Sequence, residues 1–228
     1  MQSWKDIFPK KGEIHFAGAL ENNEDTGTLQ YLASTAMEAG FSTRVLDMQA
    51  LDLQNGRFFD PAGELVNRCF KLYPWEWMVD ESPDGCLAEM EWLEPIWKLV
   101  MSNKAILATL YELFPDSPYV LPCYLSRPRS GLFCKKPVFS REGHNVSVVD
   151  IRNWEEHVRI AETEGDYNTG AYVYQEYVEP TAYSGRYPVI GSWIIGGEAA
   201  GIGIRENRME VTDNSVSYTH LRAHETLR

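Results

Sequence analysis

Two adjacent lysines followed by a polar loop with a glycine are the residues of this chain best suited to hold a phosphate. Residues 135–145 spell K-K-P-V-F-S-R-E-G-H-N and follow an apolar strand at residues 131–134. A lysine at such a strand end can face the α- and β-phosphates of a nucleotide triphosphate, and backbone N–H groups of the loop can close over them. A surface β-hairpin with a solvated lysine has the same pattern, so the choice depends on the rest of the chain.

Length and charge narrow the class of protein. The chain has 228 residues, 44% of them hydrophobic, and a net charge of −12. This length suits one large domain or two small ones with a substantial core. The negative charge argues against nucleic acid as a partner, because phosphate neutralisation needs clustered Lys and Arg. No apolar run approaches the roughly 20 residues that span a bilayer, and no signal peptide is visible at the N-terminus, so we expect no membrane partner.

The cysteines predict neither a disulfide framework nor a metal site. They are widely separated and form no C-x-x-C pair; they are Cys69, Cys86, Cys123 and Cys134. We interpret them as free thiols of a cytoplasmic protein and assign no metal ligand in this chain.

A β-α-β unit is predicted near the start. Residues 13–18 have the composition of a buried strand, apolar residues then recur at helical spacing from Leu29 to Met37, and residues 41–47 form the next strand. Gly40 lies where a helix C-cap belongs. This order predicts a parallel strand pair with a right-handed crossover.

The middle of the chain carries turn and aromatic signals. Asn55-Gly56 predicts a hairpin turn, and residues 66–72 alternate as a strand does. The aromatic segment at residues 73–77 could form a cage for a polyamine, but core packing is the more usual role of Trp and Tyr. We place a domain boundary between the break at residues 82–85 and Ser102, and divide the two portions at residue 90.

Two helices and a series of strands are predicted in the second half. The helices cover residues 96–101 and 104–114, with the apolar face of the second formed by Ile106, Leu107, Leu110, Leu113 and Phe114. The strands are predicted at residues 132–139, 146–150, 171–178, 189–195 and 199–205. Gly196-Gly197 makes the last two a hairpin, so this half is expected to hold an antiparallel sheet in an α+β domain.

Several segments together resemble one family. In chain order they are C-F-K-L-Y-P-W-E at 69–76, W-L-E-P-I-W-K at 92–98, S-N-K-A-I-L at 102–107, K-P-V-F-S-R-E-G at 136–143, Q-E-Y-V at 175–178, I-G-S-W at 190–193 and A-G-I-G-I-R-E at 200–206. Each is short, but their common order and spacing make the match specific. Over roughly residues 12–214 the chain resembles the synthetase part of the glutathionylspermidine synthase family, and especially its shorter members.

This resemblance implies a fold and a reaction. The fold is α/β plus α+β: a pre-ATP-grasp-like β-α-β portion at residues 12–90, then an ATP-grasp portion with an antiparallel sheet at 91–215. The reaction is that of an ATP-dependent carboxylate–amine ligase, which forms an amide bond through an acyl phosphate. The implied cofactors are ATP and Mg²⁺, and the implied substrates are a glutathione-like peptide and a polyamine-like amine.

The resemblance also assigns roles to individual residues. Nucleotide binding falls to Lys104, Lys136, Glu142, Gly143, Gln175, Glu176, Tyr177 and Val178. Arg205 matches an arginine that contacts the phosphates, and Glu24 lies where the namesake has a glutamate that contacts glutathione. A carboxylate there could hold the α-ammonium group of the substrate. Ordinary alternatives stay open for these residues: an exposed lysine, a turn glycine, a plain strand, a surface ion pair, or an acidic residue at a helix start.

Two departures from the family pattern limit these assignments. The family takes its Mg²⁺ ligands from a segment like L-x-E-x-N-A-D, and a phosphate-stabilising arginine from the same N-terminal portion; no such segment occurs here. We therefore expect an incomplete ligase that is inactive by itself, or alternatively a non-catalytic nucleotide- or peptide-binding module. Residues 216–228 lack the family pattern and the alternation of a strand, so we expect a non-native tail there.

Overall fold

The computed structural model divides into two compact units, Met1–Leu99 and Val100–Arg228. It describes residues 2–160, 163–165, 167, 170–208, 210–211 and 218–221. Within these residues, no helix is both long and apolar enough to cross a bilayer.

The first unit combines a parallel sheet, a small antiparallel sheet and four helices among its described residues. Its helices are α1 (Gln2–Ile7), α2 (Asn23–Glu38), α3 (Trp75–Glu81) and α4 (Pro83–Cys86). Its strands are β1 (Glu13–Gly18), β2 (Ser42–Asp47), β3 (Asp52–Gln54), β4 (Arg57–Phe59), β5 (Leu65–Val66), β6 (Arg68–Leu72) and β7 (Glu91–Leu93). Short 3₁₀ turns cover Met48–Ala50 and Ile96–Lys98.

The parallel sheet has the strand order β2-β1-β6-β7. β1 pairs in parallel with β2 on one side and β6 on the other, which confirms the predicted parallel pair. Helix α2, which connects β1 to β2, buries Leu29, Ala33 and Ala36 in one core with Phe16 of β1. Its N-cap Asn22 accepts a hydrogen bond from the Glu24 backbone N–H.

The strand predicted at residues 66–72 is split in two. Val66 pairs with Phe58 in the antiparallel sheet β3-β4-β5, whereas Cys69 pairs with His15 in the parallel sheet. The chain changes sheets at Asn67, which sequence alternation could not reveal. The Asn55-Gly56 hairpin turn is confirmed, with φ of 52° and 74°, the left-handed pair that such turns require.

Trp75 of the aromatic segment belongs to the core, whereas Trp77 is 39% exposed. Trp75 is only 5% exposed, and its ring meets the Trp92 ring edge to face at 5.5 Å. The Lys71 ammonium lies 3.9 Å from the centre of the Trp75 ring and donates a hydrogen bond to the Tyr73 carbonyl.

The two compact units divide after Leu99. β7 (Glu91–Leu93) pairs in parallel with β6, so these residues belong to the first sheet. The first unit therefore includes these residues and ends at Leu99.

The second unit is built on antiparallel sheets. Its helices are α5 (Leu99–Ser102), which starts at the unit boundary, and α6 (Ile106–Leu113). Its strands are β8 (Cys123–Tyr124), β9 (Gly131–Pro137), β10 (Ser147–Arg152), β11 (Glu155–Ile160), β12 (Tyr172–Glu176), β13 (Tyr187–Ile195), β14 (Glu198–Asn207) and β15 (Tyr218–Leu221). The larger sheet has the order β11-β10-β9-β12-β8 with every pairing antiparallel, as expected for this half.

The β10–β11 turn and the buried face of α6 both differ from what the sequence predicted. β11 follows β10 through a turn in which Asn153 and Trp154 have φ of 51° and 72°. A bulky tryptophan rarely adopts this conformation, so the residue types gave no turn signal. On α6 the buried residue is Ala108, whereas Leu113 and Phe114 of the predicted apolar face are exposed.

The last three strands form a separate sheet, β13-β14-β15. Its β13–β14 turn has Gly196 and Gly197 at φ of 62° and 85°, which confirms the predicted hairpin. Several large apolar side chains of this hairpin are exposed, among them Ile190, Trp193, Ile194 and Ile202. The backbone of β15 lies within the segment expected to lack a strand, and it pairs with β14.

Candidate functional site

A pocket of about 380 Å³ in the second unit collects most of the predicted site residues. Six of the ten line it: Lys104, Lys136, Glu142, Gly143, Tyr177 and Arg205. The other lining residues are Cys134, Ser140, Arg141, Val146, Val148, Glu210 and Val211. Four basic side chains face two acidic ones here, so the pocket is locally cationic in a chain of net charge −12.

Lys136 is the pocket lysine of the adjacent pair. It lies near the end of β9, and its Nζ donates to Gln175 Oε1 on the neighbouring strand β12 at 2.7 Å. Lys135 forms its ion pair elsewhere, with Glu156 at 2.7 Å. Side chains alternate faces along a strand, which explains why only one of the two lysines lines the pocket.

Lys104 is anchored at the pocket rather than solvated. It lies two residues before α6, and its backbone N–H donates to the Val138 carbonyl at 2.8 Å. Its Nζ donates to the Ser140 carbonyl at 2.5 Å and to Ser140 Oγ at 2.9 Å. The lysine thereby links the start of α6 to the chain that follows β9.

Residues 140–146 turn sharply at the pocket. We call them the nucleotide loop after the role that the sequence predicts for them. The His144 N–H donates to the Arg141 carbonyl at 2.9 Å, and Glu142 and Gly143 between them have φ of 54° and 76°. Two left-handed central residues define a type I′ turn, in which glycine avoids the steric cost of a side chain. The predicted glycine thus has a conformational reason for its position.

The segment at residues 175–178 lies at the end of β12. Gln175 accepts from Lys136, while the backbone N–H groups of Glu176 and Tyr177 donate to the Pro122 and Leu132 carbonyls at 2.8 and 3.1 Å. Those two N–H groups are therefore already hydrogen-bonded within the protein. Val178 lies beyond the strand with 60% of its surface exposed.

Glu210 is a pocket residue that sequence analysis missed. Its carboxylate accepts from the Tyr177 hydroxyl at 2.6 Å and faces the Tyr187 hydroxyl at 3.5 Å. Arg205 of β14, five residues before Glu210 in the chain, also lines the pocket. No hydrogen bond or ion pair joins the Arg205 guanidinium to another residue that the structure describes.

Thr163 was also missed, although it contacts the nucleotide loop. Its hydroxyl accepts from the Val146 N–H at 2.9 Å and donates to the Gly143 carbonyl. No motif marks it, because its partners are backbone atoms about twenty residues earlier in the chain.

The cysteine in the pocket is not suited to nucleophilic chemistry. Burial raises the pKa of the Cys134 thiol, and the nearby Lys136 charge opposes this effect only in part. A thiol is a strong nucleophile only as the thiolate, so Cys134 serves as an apolar wall.

The described residues offer no ready metal centre. No group of three or more His, Cys, Asp and Glu side chains is placed to hold an ion in that part of the chain. Magnesium prefers about six oxygen ligands, several of them waters or substrate phosphates. The two pocket carboxylates supply only part of such a set, so an ion there would also need waters and the phosphates of a nucleotide. No step is assigned to a metal.

Glu24 is the one predicted site residue outside the second unit. It belongs to the first unit, where it is exposed in the first turn of α2. A carboxylate at a helix start interacts favourably with the helix dipole, which is the alternative already noted for this residue.

Comparison with known proteins connects this site to a family. The family model described as "Glutathionylspermidine synthase preATP-grasp" matches residues 1–222. A Haemophilus influenzae protein with the provisional name acid–amine ligase is 34% identical over 90% of this chain. Trypanothione synthetase of Crithidia fasciculata is 28% identical over 88% of the chain, and the bifunctional glutathionylspermidine synthetase/amidase of Escherichia coli is 27% identical over 80%.

The match covers only part of these relatives. The chain spans 54% of the Haemophilus protein and 34% of each of the other two. Among solved structures, D-cycloserine synthetase resembles the chain in fold, with a TM-score of 0.53 and 14% identity over 93% of this chain and 76% of that one. With a family model that covers nearly the whole sequence, the chain belongs to the glutathionylspermidine synthase family.

Proposed function

We propose that this chain supplies the nucleotide site of an ATP-dependent carboxylate–amine ligase. The observation that carries the proposal is the single pocket lined by Lys104, Lys136, Arg205 and the turn at Glu142-Gly143. Cations from a helix start, a strand and a hairpin surround a loop of the kind that can cover phosphates. The names of the relatives, an acid–amine ligase and two synthetases, support the same reaction class.

The proposed chemistry joins an acid to an amine. A carboxylate oxygen of the acid attacks the γ-phosphorus of ATP, and the bond from phosphorus to the ADP oxygen breaks. The amine nitrogen then attacks the acyl carbon, phosphate leaves with the bridging oxygen, and the nitrogen loses a proton. Phosphorylation makes a poor electrophile reactive, but the acyl phosphate must be kept from water.

This chain's residues would act mainly by charge and position. Lys104 and Lys136 neutralise the phosphates, and the Arg205 fork contacts the transferring group. The nucleotide loop closes over the phosphates through its backbone N–H groups. The adenine ring would contact residues 175–178; since the N–H groups of Glu176 and Tyr177 donate within the protein, the remaining polar groups of that segment would read its edge.

The fold assignment and the substrates are part of the same proposal. The second unit, with its two antiparallel sheets, would be an ATP-grasp portion, and the first unit a pre-ATP-grasp portion. The acid would be a glutathione-like peptide, with Glu24 holding its α-ammonium group, and the amine would be polyamine-like. A cytoplasmic location suits ATP as the energy source.

The proposed reaction needs magnesium, but the described residues do not supply a complete set of ligands for it. Since no metal cluster is found among the described residues, turnover by this chain alone is expected to be very slow. The same observation favours the second candidate function, nucleotide binding without catalysis.

Calorimetric titration with ATP tests the proposed nucleotide site, and an assay of ADP release tests the expected inactivity of the chain by itself. We expect binding without magnesium-dependent turnover when a thiol tripeptide and a polyamine are added to the chain alone. A wild-type chain that fails to bind ATP would remove the nucleotide site. ADP release at an ordinary ligase rate would instead contradict the expected inactivity of the isolated chain.

A further inference from the structure

We infer that Thr163 is a positioning residue that fixes the nucleotide loop for phosphate binding, an inference that rests on the proposed function. Thr163 lies between β11 and β12, with 9% of its surface exposed. The loop that it contacts joins β9 to β10. A segment distant in sequence thus anchors the loop by which the pocket would cover phosphates.

The anchor consists of hydrogen bonds to the loop backbone. Thr163 Oγ1 accepts from the Val146 N–H at 2.9 Å and donates its proton to the Gly143 carbonyl, with the Val146 carbonyl at 3.2 Å as a second acceptor. The backbone adds two bonds, from the Thr163 N–H to the Val146 carbonyl and from the Asn145 N–H to the Thr163 carbonyl, both 3.1 Å. Because Gly143 is a central residue of the turn, the hydroxyl fixes the turn itself as well as the loop base.

Two neighbours of Thr163 hold the same loop. A Cβ on Gly165 would lie 2.5 Å from His144 Cβ and 2.8 Å from Asn145 Oδ1, so only glycine fits without a shift. The Tyr167 N–H donates to Asn145 Oδ1 at 2.9 Å. The described residues from 163 to 167 therefore form a close-fitting platform for the loop.

The opposite end of the loop explains why this anchor would matter for function. There the loop is held by Lys104, whose ammonium bonds Ser140. A lysine that turns toward a bound phosphate weakens its bonds to Ser140. Thr163 does not line the pocket, so its bonds to the loop backbone would persist and hold Gly143 in place while Lys104 moves.

The inference predicts a selective loss of affinity for phosphates. Thr163→Val keeps the shape but removes the hydroxyl, whereas Thr163→Ser keeps it. We expect Thr163→Val to weaken ATP binding by about tenfold, the effect of losing a hydrogen bond of about 1.4 kcal/mol, with Thr163→Ser close to wild type. Binding of adenosine, which carries no phosphate, should change by less than about twofold, because the hydroxyl acts only on the phosphate loop.

Titration calorimetry measures the affinities for ATP and adenosine. Amide hydrogen exchange across residues 141–146 measures how firmly the loop backbone is held. Faster exchange in Thr163→Val, together with the selective loss of ATP affinity, supports the inference. Gly165→Ala, which pushes on the loop while keeping the hydroxyl, provides a second variant and should show the same selectivity. Equal losses for ATP and adenosine, or wild-type ATP affinity in Thr163→Val while Lys136→Ala loses it, would overturn the inference and leave the proposed function standing. Failure of the wild-type chain to bind ATP would remove both.

Discussion

Lys135 and Lys136 are neighbours on β9, yet their ammonium groups have different hydrogen-bond partners on opposite faces of the strand. Lys135 Nζ lies 2.7 Å from Glu156 Oε2 in a cluster with Tyr174, whereas Lys136 Nζ lies 2.7 Å from the Gln175 amide oxygen at the pocket. The first lysine is neutralised by a carboxylate. The second is held by a neutral group, so its charge remains available to an anionic ligand.

Replacing these two lysines should therefore give opposite outcomes for ATP. Lys136→Ala removes a charge-assisted contact to phosphate, and we expect ATP affinity to fall by tenfold to about a hundredfold. Lys135→Ala, the matched control on the same strand, should leave ATP affinity within about twofold, since its partner is a partly exposed carboxylate. Titration calorimetry on both variants measures the difference, and equal effects would remove the assignment of Lys136.

The hydroxyl of Tyr177 should contribute to ATP binding through Glu210. Tyr177→Phe removes the 2.6 Å bond that holds the Glu210 carboxylate. A carboxylate released toward the ATP phosphates would repel them, so we expect ATP affinity to fall by about threefold to tenfold. Tyr187→Phe removes only the 3.5 Å contact to the other carboxylate oxygen and should have a smaller effect. A larger loss for Tyr187→Phe than for Tyr177→Phe would contradict the role given to this pair.

Gly143 should be needed for the pocket, beyond its cost to stability. Gly143→Ala places a side chain at φ 76°, which costs about 1 kcal/mol, and it should weaken ATP binding by disturbing the turn. Gly56→Ala imposes a similar cost at φ 74°, with nothing within 4 Å of the added Cβ, in the first unit. Urea unfolding should therefore register a loss in both variants. Only Gly143→Ala should lose ATP affinity, and similar affinities in the two variants would argue against the loop assignment.

His15 should make the first unit less stable in mild acid. It is 2% exposed on the central strand β1, and neither ring nitrogen has a hydrogen-bond partner among the described residues. Burial is the main cause that lowers its pKa from 6.5, aided by the Arg44 charge and opposed by Glu13 and Asp60, whose oxygens lie 3.8 and 3.9 Å from Nε2. The unfolded chain therefore binds a proton first as the pH falls.

The stability that this neutral imidazole allows is present above pH 6.5 and is lost as the pH falls below that value toward the folded pKa. One proton limits the slope to about 1.4 kcal/mol per pH unit. Urea unfolding of wild type and His15→Asn at several pH values between 7 and 5 measures it, with the exposed His157→Asn as control. The His15 variant should have a shallower slope than the control. Backbone N–H groups of Glu64 and Ala62 lower the pKa of Asp60, so its protonation lies at more acid pH.

Local patterns predicted those parts of the fold that are set by local chemistry. The Asn55-Gly56 and Gly196-Gly197 turns were predictable because their residue types tolerate positive φ, and β1, α2 and β2 because their apolar spacing matches one buried face. The change of sheet at Asn67 depends on pairing partners distant in the sequence, so alternation alone suggested one continuous strand.

The candidate site divides in a similar way. Lys104, Lys136 and Gly143 lie in motifs that could be aligned with a family, and the structure brings them to one pocket. Thr163 and Glu210 act through a backbone carbonyl and a tyrosine hydroxyl, contacts that leave no motif in the sequence. Their roles follow only from three-dimensional placement.

The strand order β2-β1-β6-β7 has a consequence for synthesis of the chain. β1 and β2 leave the ribosome before β6, which begins at Arg68, fifty residues after β1 ends at Gly18. At a translation rate of about 5–20 residues per second, one edge of β1 stays unpaired for several seconds until β6 has been synthesised. During that interval the nascent chain presents an unpaired, apolar edge, the kind of surface that chaperones bind and that other strands can pair with.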